Sequence, residues 1–108
     1  MAVQVQRQDS QTLRISGEIT FHSVLQLRRL LEAELAQAAG ELTLDLSGVT
    51  AADSSALSLW LCIRRQADRR GLRLYALNVP EKLHALSRLV GLEREWTEAL
   101  PVDQALPA

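Results

Sequence analysis

Hydrophobic and polar positions along this chain follow two different periods, which separate strands from helices. Every second residue is apolar in TLRIS (12–16) and in LTLDL (42–46), the pattern expected of strands with one buried face. Between these segments, from Val24 to Ala38, apolar residues recur at three- and four-residue steps, which places them on one face of a helix. The chain therefore alternates between strand and helix patterns.

The same reading along the whole chain predicts the order β-β-α-β-α-β-α. VQVQRQ (3–8) and TLRIS form a candidate hairpin that Gly17 ends, and SGVTAAD (47–53) is predicted as a loop. LEREW (92–96) is a candidate for a last short strand. The other predicted elements are a first helix capped by Thr20 or Ser23 and stopped by Gly40, a second helix from about Ser54 to Arg70, a strand at 72–77 and a third helix from Pro80 to Gly91.

Strand–helix alternation of this kind is typical of α/β folds with parallel strands. We predict a mixed, mainly parallel sheet of four to five strands, with helices packed mainly on one face. Residues 1–96 are expected to form a single domain, and residues 97–108 a flexible C-terminal tail. The core should contain Leu44, Leu46, Ile63 and Leu74.

Composition and charge narrow the classes of function. The formal net charge is −1, which disfavours nucleic-acid binding, since such proteins usually carry a basic excess. The single cysteine, Cys62, excludes an internal disulfide and is interpreted as a small buried hydrophobe. No signal-peptide pattern and no apolar run near the roughly 20 residues of a membrane span occur. We therefore expect a cytoplasmic protein that reaches the membrane only indirectly, through a partner.

The usual sequence signatures of catalysis are missing. The two glycine-rich patterns that bind phosphate groups, Gly-x-x-x-x-Gly-Lys-Ser/Thr and Gly-x-Gly-x-x-Gly, do not occur. The Gly-x-Ser-x-Gly pattern of hydrolases does not occur either. The two histidines, His22 and His84, have no metal-ligand spacing. We predict no catalytic residue, no metal and no cofactor, and hence a protein that is not an enzyme.

The stretch DLSGVTAADSSALSLWLCIRR (45–65) contains the one candidate site. Asp53, Ser54 and Ser55 lie where a strand's exit leads into a helix, the edge where open α/β sheets tend to place their sites. A serine hydroxyl here can cap the helix, contributing about 1 kcal/mol. The helix start would equally tolerate a phosphate, because its dipole stabilises an anion. Residue types alone leave both interpretations open.

The second helix has more apolar residues than one buried stripe requires. The stripe is supplied by Ala56, Leu59, Trp60, Ile63 and Ala67. Leu57 and Leu61 fall on an adjacent face; neighbouring helices should cover Leu61, whereas Leu57, beside the serines, is the better candidate for a partner contact. We therefore predict a partner surface of Asp53, Ser54, Ser55 and Leu57.

Four arginines, at 64, 65, 69 and 70, occupy the far end of the same helix. Two interpretations are open. The arginines either interact favourably with the negative end of the helix dipole or form a basic patch that binds an acidic partner or lipid headgroups.

Several motifs together resemble the STAS domain, the fold of sulfate-transporter tails and anti-sigma factor antagonists. They are ITFHSV, LTLDLSGVTAADSSALSLWL and RRGLRLYALNVPEKLHALSRLVGL, which cover most of residues 11–96. Within that family the chain is most similar to the small cytoplasmic subunit of Mla-type phospholipid ABC transporters. The resemblance implies a subunit that binds and supports the transporter's ATPase. The transporter as a whole maintains outer-membrane lipid asymmetry.

The resemblance also implies roles for single residues. Ser54 matches the position at which the Mla subunit engages the ATPase, and Ser55 the position that a serine kinase phosphorylates in the antagonists. Ala56 stands where both groups usually carry glycine, and its methyl group is expected to crowd a close partner. Two other functions stay open: an anti-sigma factor antagonist switched by phosphorylation of Ser55, with a serine kinase and an anti-sigma factor as partners, and a free-standing small-ligand or nucleotide sensor.

Overall fold

Four strands and three α-helices alternate along the chain, followed by one short 3-10 helix, in a computed structural model that describes residues 3–96. Their bounds are β1 Gln4–Arg7, β2 Thr12–Ile19, α1 Val24–Gln37, β3 Glu41–Ala52, α2 Ser54–Arg69, β4 Arg73–Leu77, α3 Glu81–Leu89 and the 3-10 helix Glu93–Glu95. The predicted order of strands and helices is confirmed. The tail predicted at 97–108 lies outside the described residues.

The strands form one sheet in the order β1-β2-β3-β4. Strand β1 pairs antiparallel with β2, whereas the β2–β3 and β3–β4 pairs are parallel. Helices α1 and α2 provide the two crossovers that those parallel pairs require. The predicted mixed, mainly parallel sheet is therefore correct, with four strands.

One apolar core lies between the sheet and the helices. Buried side chains of β2, β3 and β4 pack there against buried side chains of all three helices. The four predicted core residues are each at most 5% exposed: Leu44, Leu46, Ile63 and Leu74. The helices thus cover mainly one face of the sheet, as predicted.

Strands β2 and β3 are longer than their sequence patterns indicated. The prediction of a loop at 47–53 is wrong, because β3 continues to Ala52, which pairs with Ile19 of β2. Gly17 does not end β2 either. It has a φ of 97°, a left-handed conformation that glycine adopts readily, and the strand continues for two more residues.

Gly48 marks a close approach between β2 and β3. A Cβ atom at this position would lie 2.9 Å from the Ile15 carbonyl oxygen and 2.5 Å from the Ser16 hydroxyl oxygen. The β2–β3 register shifts between Arg14 and Ser16, next to this contact. A glycine within a strand often marks such an approach rather than a turn.

The ends of the helices differ in detail from the sequence reading. Ser23 occupies the N-cap position of α1, but its hydroxyl donates to the Glu18 carbonyl (2.7 Å) and caps no helical N–H. The helix ends at Gln37, three residues before the predicted stop at Gly40. No helix within residues 3–96 combines the length and apolar character needed to cross a bilayer.

The segment predicted as a last strand, residues 92–96, forms the 3-10 helix instead. Trp96 stacks on Trp60 of α2, with ring centroids 4.9 Å apart, and its indole N–H donates to the Ser87 hydroxyl at 2.7 Å. These contacts draw the segment onto helices α2 and α3, away from either edge of the sheet.

The middle of β3 is tied to the end of β4 by a buried carboxylate. Asp45, 8% exposed, accepts hydrogen bonds from the Ser47 N–H (2.9 Å) and the Asn78 side chain (3.0 Å). Burial raises the pKa of Asp45, but these bonds and the charge of Arg14 outweigh it and lower the pKa overall. Asn78 has a φ of 58°, a conformation that Asn tolerates better than most residues.

Replacing Gly48 with alanine should destabilise the fold by about 1–3 kcal/mol, because the new methyl group meets a backbone oxygen that cannot move freely. The matched control is Thr50→Ala, an exposed position of the same strand, expected to change stability by less than about 0.5 kcal/mol. Urea unfolding measures both, and equal stabilities for the two variants would contradict the close approach.

Acid should weaken the fold in part through Asp45. Its folded-state pKa lies below the ordinary 3.8, so as pH falls through 3.8 the unfolded chain takes up the proton first. The stabilisation is present above that pH and is lost as pH falls through the folded-state value. We expect Asp45→Asn to be less stable than the parent at pH 7 and to lose less stability between pH 5 and about pH 2–3. Urea unfolding across this range checks it; parallel pH profiles would exclude the role.

Candidate docking surface at the start of helix α2

Asp53 lies between β3 and α2 and connects the start of α2 to the segment that precedes α1. One carboxylate oxygen accepts the Ser55 N–H at 2.8 Å and caps the helix. The other accepts the Phe21 N–H at 3.1 Å. The helix is therefore capped by the aspartate, whereas the sequence reading assigned that role to a serine hydroxyl.

The surroundings of Asp53 favour its charged form. Burial, the largest single influence, raises the pKa of this carboxyl. Hydrogen bonds from Ser55 and Phe21 and the nearby charge of Lys82 outweigh burial, so the pKa is lowered overall. Asp53 thus carries a negative charge at neutral pH, where it complements the positive end of the α2 dipole.

The predicted surface residues occupy different depths. Ser54 is exposed and Ser55 is half-buried, but Leu57 is only 6% exposed and lies in the core. The expectation that Leu57 contacts a partner directly is wrong, because the helix turns that side chain inward. Leu61, expected to be covered, is the half-buried one of the two.

The methyl group of Ala56 also points into the core. Ala56 is 5% exposed and belongs to the buried apolar core. The expected crowding of a partner by this methyl group is therefore not supported.

A groove separates the first turns of α1 and α2 beside Asp53. Its volume is about 320 Å³. The side chains that line it are Val24, Leu25, Arg28, Ser54, Ser55, Ser58, Leu59 and Cys62. Cys62 is half-buried in this groove, so it is more exposed than its interpretation as a small buried hydrophobe implied.

Two large apolar side chains next to the serines were missed by the sequence reading. Phe21 is 70% exposed and Leu25 is 56% exposed. A signal was available for Leu25, which falls off the stripe that Leu27 and Leu31 continue on α1. For Phe21 no periodicity applied, because it precedes the helix. Exposed apolar side chains beside a groove are typical of interaction surfaces.

The arginines at the other end of α2 have divided roles. Arg64 donates to the Glu95 carboxylate at 2.8 Å, and Arg70 donates to the backbone carbonyls of Leu35 and Ala36 at the end of α1. Both therefore hold elements of the fold together. Arg65 and Arg69 are exposed.

No cluster of three or more metal-ligating side chains occurs within residues 3–96. The aromatic ring of Phe21 lies 4.3 Å from the ring of His22, which places that histidine beside the docking surface. Both Asp53 oxygens accept backbone N–H groups, an arrangement that suits a cap and a connection between segments.

Solved structures of anti-sigma factor antagonists have the same fold. SpoIIAA in its unphosphorylated form matches with a TM-score of 0.70 and 23% identity, covering 94% of this chain and 91% of that one. The Bacillus SpoIIAA in its phosphorylated form gives 0.67 and 23%, with coverage of 94% and 95%. An antagonist from Mycobacterium paratuberculosis gives 0.73 and 20%, with coverage of 94% and 87%.

A search of curated proteins found no match to this chain. A family model described as "Mlab, STAS domain" matches residues 3–102, nearly the whole chain. This protein therefore belongs to that family and is a STAS-domain protein.

Proposed function

We propose that this protein is a non-catalytic accessory subunit whose partner docks at the start of α2, and that the partner is the ATPase subunit of an Mla-type phospholipid ABC transporter. The observation that carries the proposal is the groove between α1 and α2, which exposed Leu25 and exposed Ser54 line and which exposed Phe21 adjoins through its hydrogen bond to Asp53. Binding there would place the protein at the cytoplasmic side of the inner membrane through its complex, in support of outer-membrane lipid asymmetry.

The family description supports the transporter part of this proposal, since it names MlaB and covers residues 3–102. Residue chemistry supports the binding part. A partner that covers Phe21 and Leu25 removes apolar surface from water, at roughly 25 cal/mol per Å². Leu57 is buried in the core and is not part of this surface.

A second candidate function is an anti-sigma factor antagonist switched by phosphorylation of Ser55. The structural comparisons support it more directly than the transporter role, because the solved relatives are such antagonists and one is described in its phosphorylated form. The groove adds an observation that the sequence did not offer. Arg28 lines it together with Ser55, and Lys82 acts on Asp53, so two cations lie near a phosphate at this position.

Replacing Ser54 with arginine should abolish binding of the transporter's ATPase subunit while the chain remains folded, because the long charged side chain occupies an exposed helix start. Ser10→Arg, at an exposed turn, is the matched control. Co-purification and a binding titration measure the effect, and near-UV circular dichroism of the stacked Trp60 and Trp96 reports the fold. Wild-type affinity in the folded Ser54→Arg variant would refute the docking surface.

In the transporter role, Ser55 should function unmodified. A phosphate there would add about −1.5 to −2 charges. It would lie beside the Asp53 carboxylate and would have to lose water when an apolar partner surface docked. Intact-mass analysis of the protein from its native cells is expected to show no phosphate, and Ser55→Ala to keep lipid asymmetry normal.

The antagonist-type mechanism predicts the opposite phosphorylation state of Ser55. It requires a substantial phosphorylated fraction at Ser55 and a defect in Ser55→Asp that Ser55→Ala lacks. It also requires a serine kinase or an anti-sigma factor, in place of an ATPase, to co-purify with the native protein.

A further inference from the structure

The groove between α1 and α2 runs along the first turns of both helices. It extends from Val24 and Ser54 to Arg28 and Cys62. Exposed Phe21 adjoins the Ser54 end, because its N–H donates to Asp53, the residue before Ser54. Beyond this point the two helices are joined by the hydrogen bond from the Gln66 side chain to the Glu32 carboxylate, 2.7 Å long. The lining spans residues 24–28 of α1 and 54–62 of α2, so the groove accommodates roughly one to two turns, or about 7–13 Å, of a partner helix.

The two sides of the groove differ in the size and polarity of their side chains. The α2 wall carries Ser54, Ser58 and Cys62 at four-residue spacing, which places these short side chains on one face. The α1 side carries the exposed Leu25, with Phe21 at its end. A partner helix could approach α2 closely and pack apolar side chains against Leu25 and Phe21, the arrangement of helix-in-groove recognition.

Charge determines what else the partner should carry. Within residues 3–96, the Arg28 guanidinium contacts the Glu32 carboxylate through Nε alone, at 3.3 Å. Its two terminal nitrogens are therefore available to an acceptor in the groove. Both Asp53 oxygens already accept N–H groups from Ser55 and Phe21. The residues that line the groove include one cation, Arg28, and no carboxylate, which suits an acidic side chain of the partner.

We propose that the groove receives an amphipathic helix of the partner protein, with apolar residues at three- and four-residue spacing against Phe21 and Leu25 and one carboxylate on the terminal nitrogens of Arg28. This inference rests on the proposed function, since it specifies the chemistry of the partner segment at the same surface. It adds Leu25 and Arg28 as determinants of specificity on α1, a helix that neither the sequence motif nor the family match singled out.

The test uses the full chain and the ATPase subunit of the Mla-type transporter from the same organism. Leu25→Ser and Arg28→Glu should each weaken binding by about tenfold or more, and Arg28→Gln by less, because it removes the charge without reversing it. The matched controls, expected to stay within about twofold, are Leu89→Ser at a leucine that is 82% exposed on α3 and Arg69→Glu at an exposed arginine of α2.

Cys62 supplies an independent readout, because it is the only cysteine of the chain and it lines the groove. Saturating ATPase should slow its alkylation by iodoacetamide by about tenfold or more, as measured by mass spectrometry of the Cys62 peptide. The charge pair has its own test: reversing one acidic residue to arginine in the partner's docking helix should restore binding of Arg28→Glu.

The outcomes separate this inference from the proposed function. If the ATPase binds and Ser54→Arg blocks it, while Cys62 stays reactive and Leu25→Ser and Arg28→Glu bind normally, the helix-in-groove inference is wrong and the proposed function stands. If the ATPase does not bind the wild-type chain at all, the proposed function fails and this inference fails with it.

Discussion

The carboxylate of Asp53 connects the start of α2 to the segment that leads into α1, and the geometry of the docking surface depends on this connection. By accepting N–H groups of both Ser55 and Phe21, it aligns the first turns of two helices that are far apart in sequence. This bond connects the backbone of Phe21 to the residue that caps α2. A helix cap of ordinary strength, about 1 kcal/mol, thus also organises a recognition surface.

Asp53 reaches this position because β3 is unusually long. The strand continues through Ala52 and pairs with β2 up to Ile19, so β2 and β3 end together just before Phe21 and Ser54. The close approach at Gly48 permits that pairing, since a side chain there would separate the strands. The docking surface therefore rests on sheet register as much as on the residues that form it.

Much of the fold could be predicted because periodicity reports burial directly. The alternation around Leu44 and the helical spacing from Ala56 to Ala67 correctly indicated which faces lie inward. The extent of β3 could not be predicted, because residues 47–53 carry small and turn-forming side chains, and their strand conformation comes from pairing with β2. Tertiary pairing overrode local preference there. The final segment failed for a similar reason: Trp96 stacks on Trp60, a contact between residues far apart in sequence.

The candidate site was predictable only in its α2 half. Asp53 and the serines could be identified because they are cap residues that follow a strand. Phe21 and Leu25 come near them only in the folded chain, through the hydrogen bond from Phe21 to Asp53 and the packing of α1 beside α2. Leu57 was misplaced because a helix start with apolar residues on adjacent faces does not reveal which face a neighbouring element covers. Sequence alone therefore identified the polar centre of the surface and missed its apolar border.

The arrangement of side chains on α2 separates folding from binding. Ala56, Leu57 and Leu59 are buried in the core, while Ser54 and Ser58 on the opposite side are exposed. Substitutions on the exposed side therefore change what a partner meets and leave the apolar packing beneath it intact. Within one fold, an exposed face of this kind can therefore change its chemistry from one protein to another while the core stays the same. In this chain, Arg28 is the one charged side chain among the residues that line the groove, so under either proposed function it is the charge that a partner carboxylate or a phosphate at Ser55 would meet.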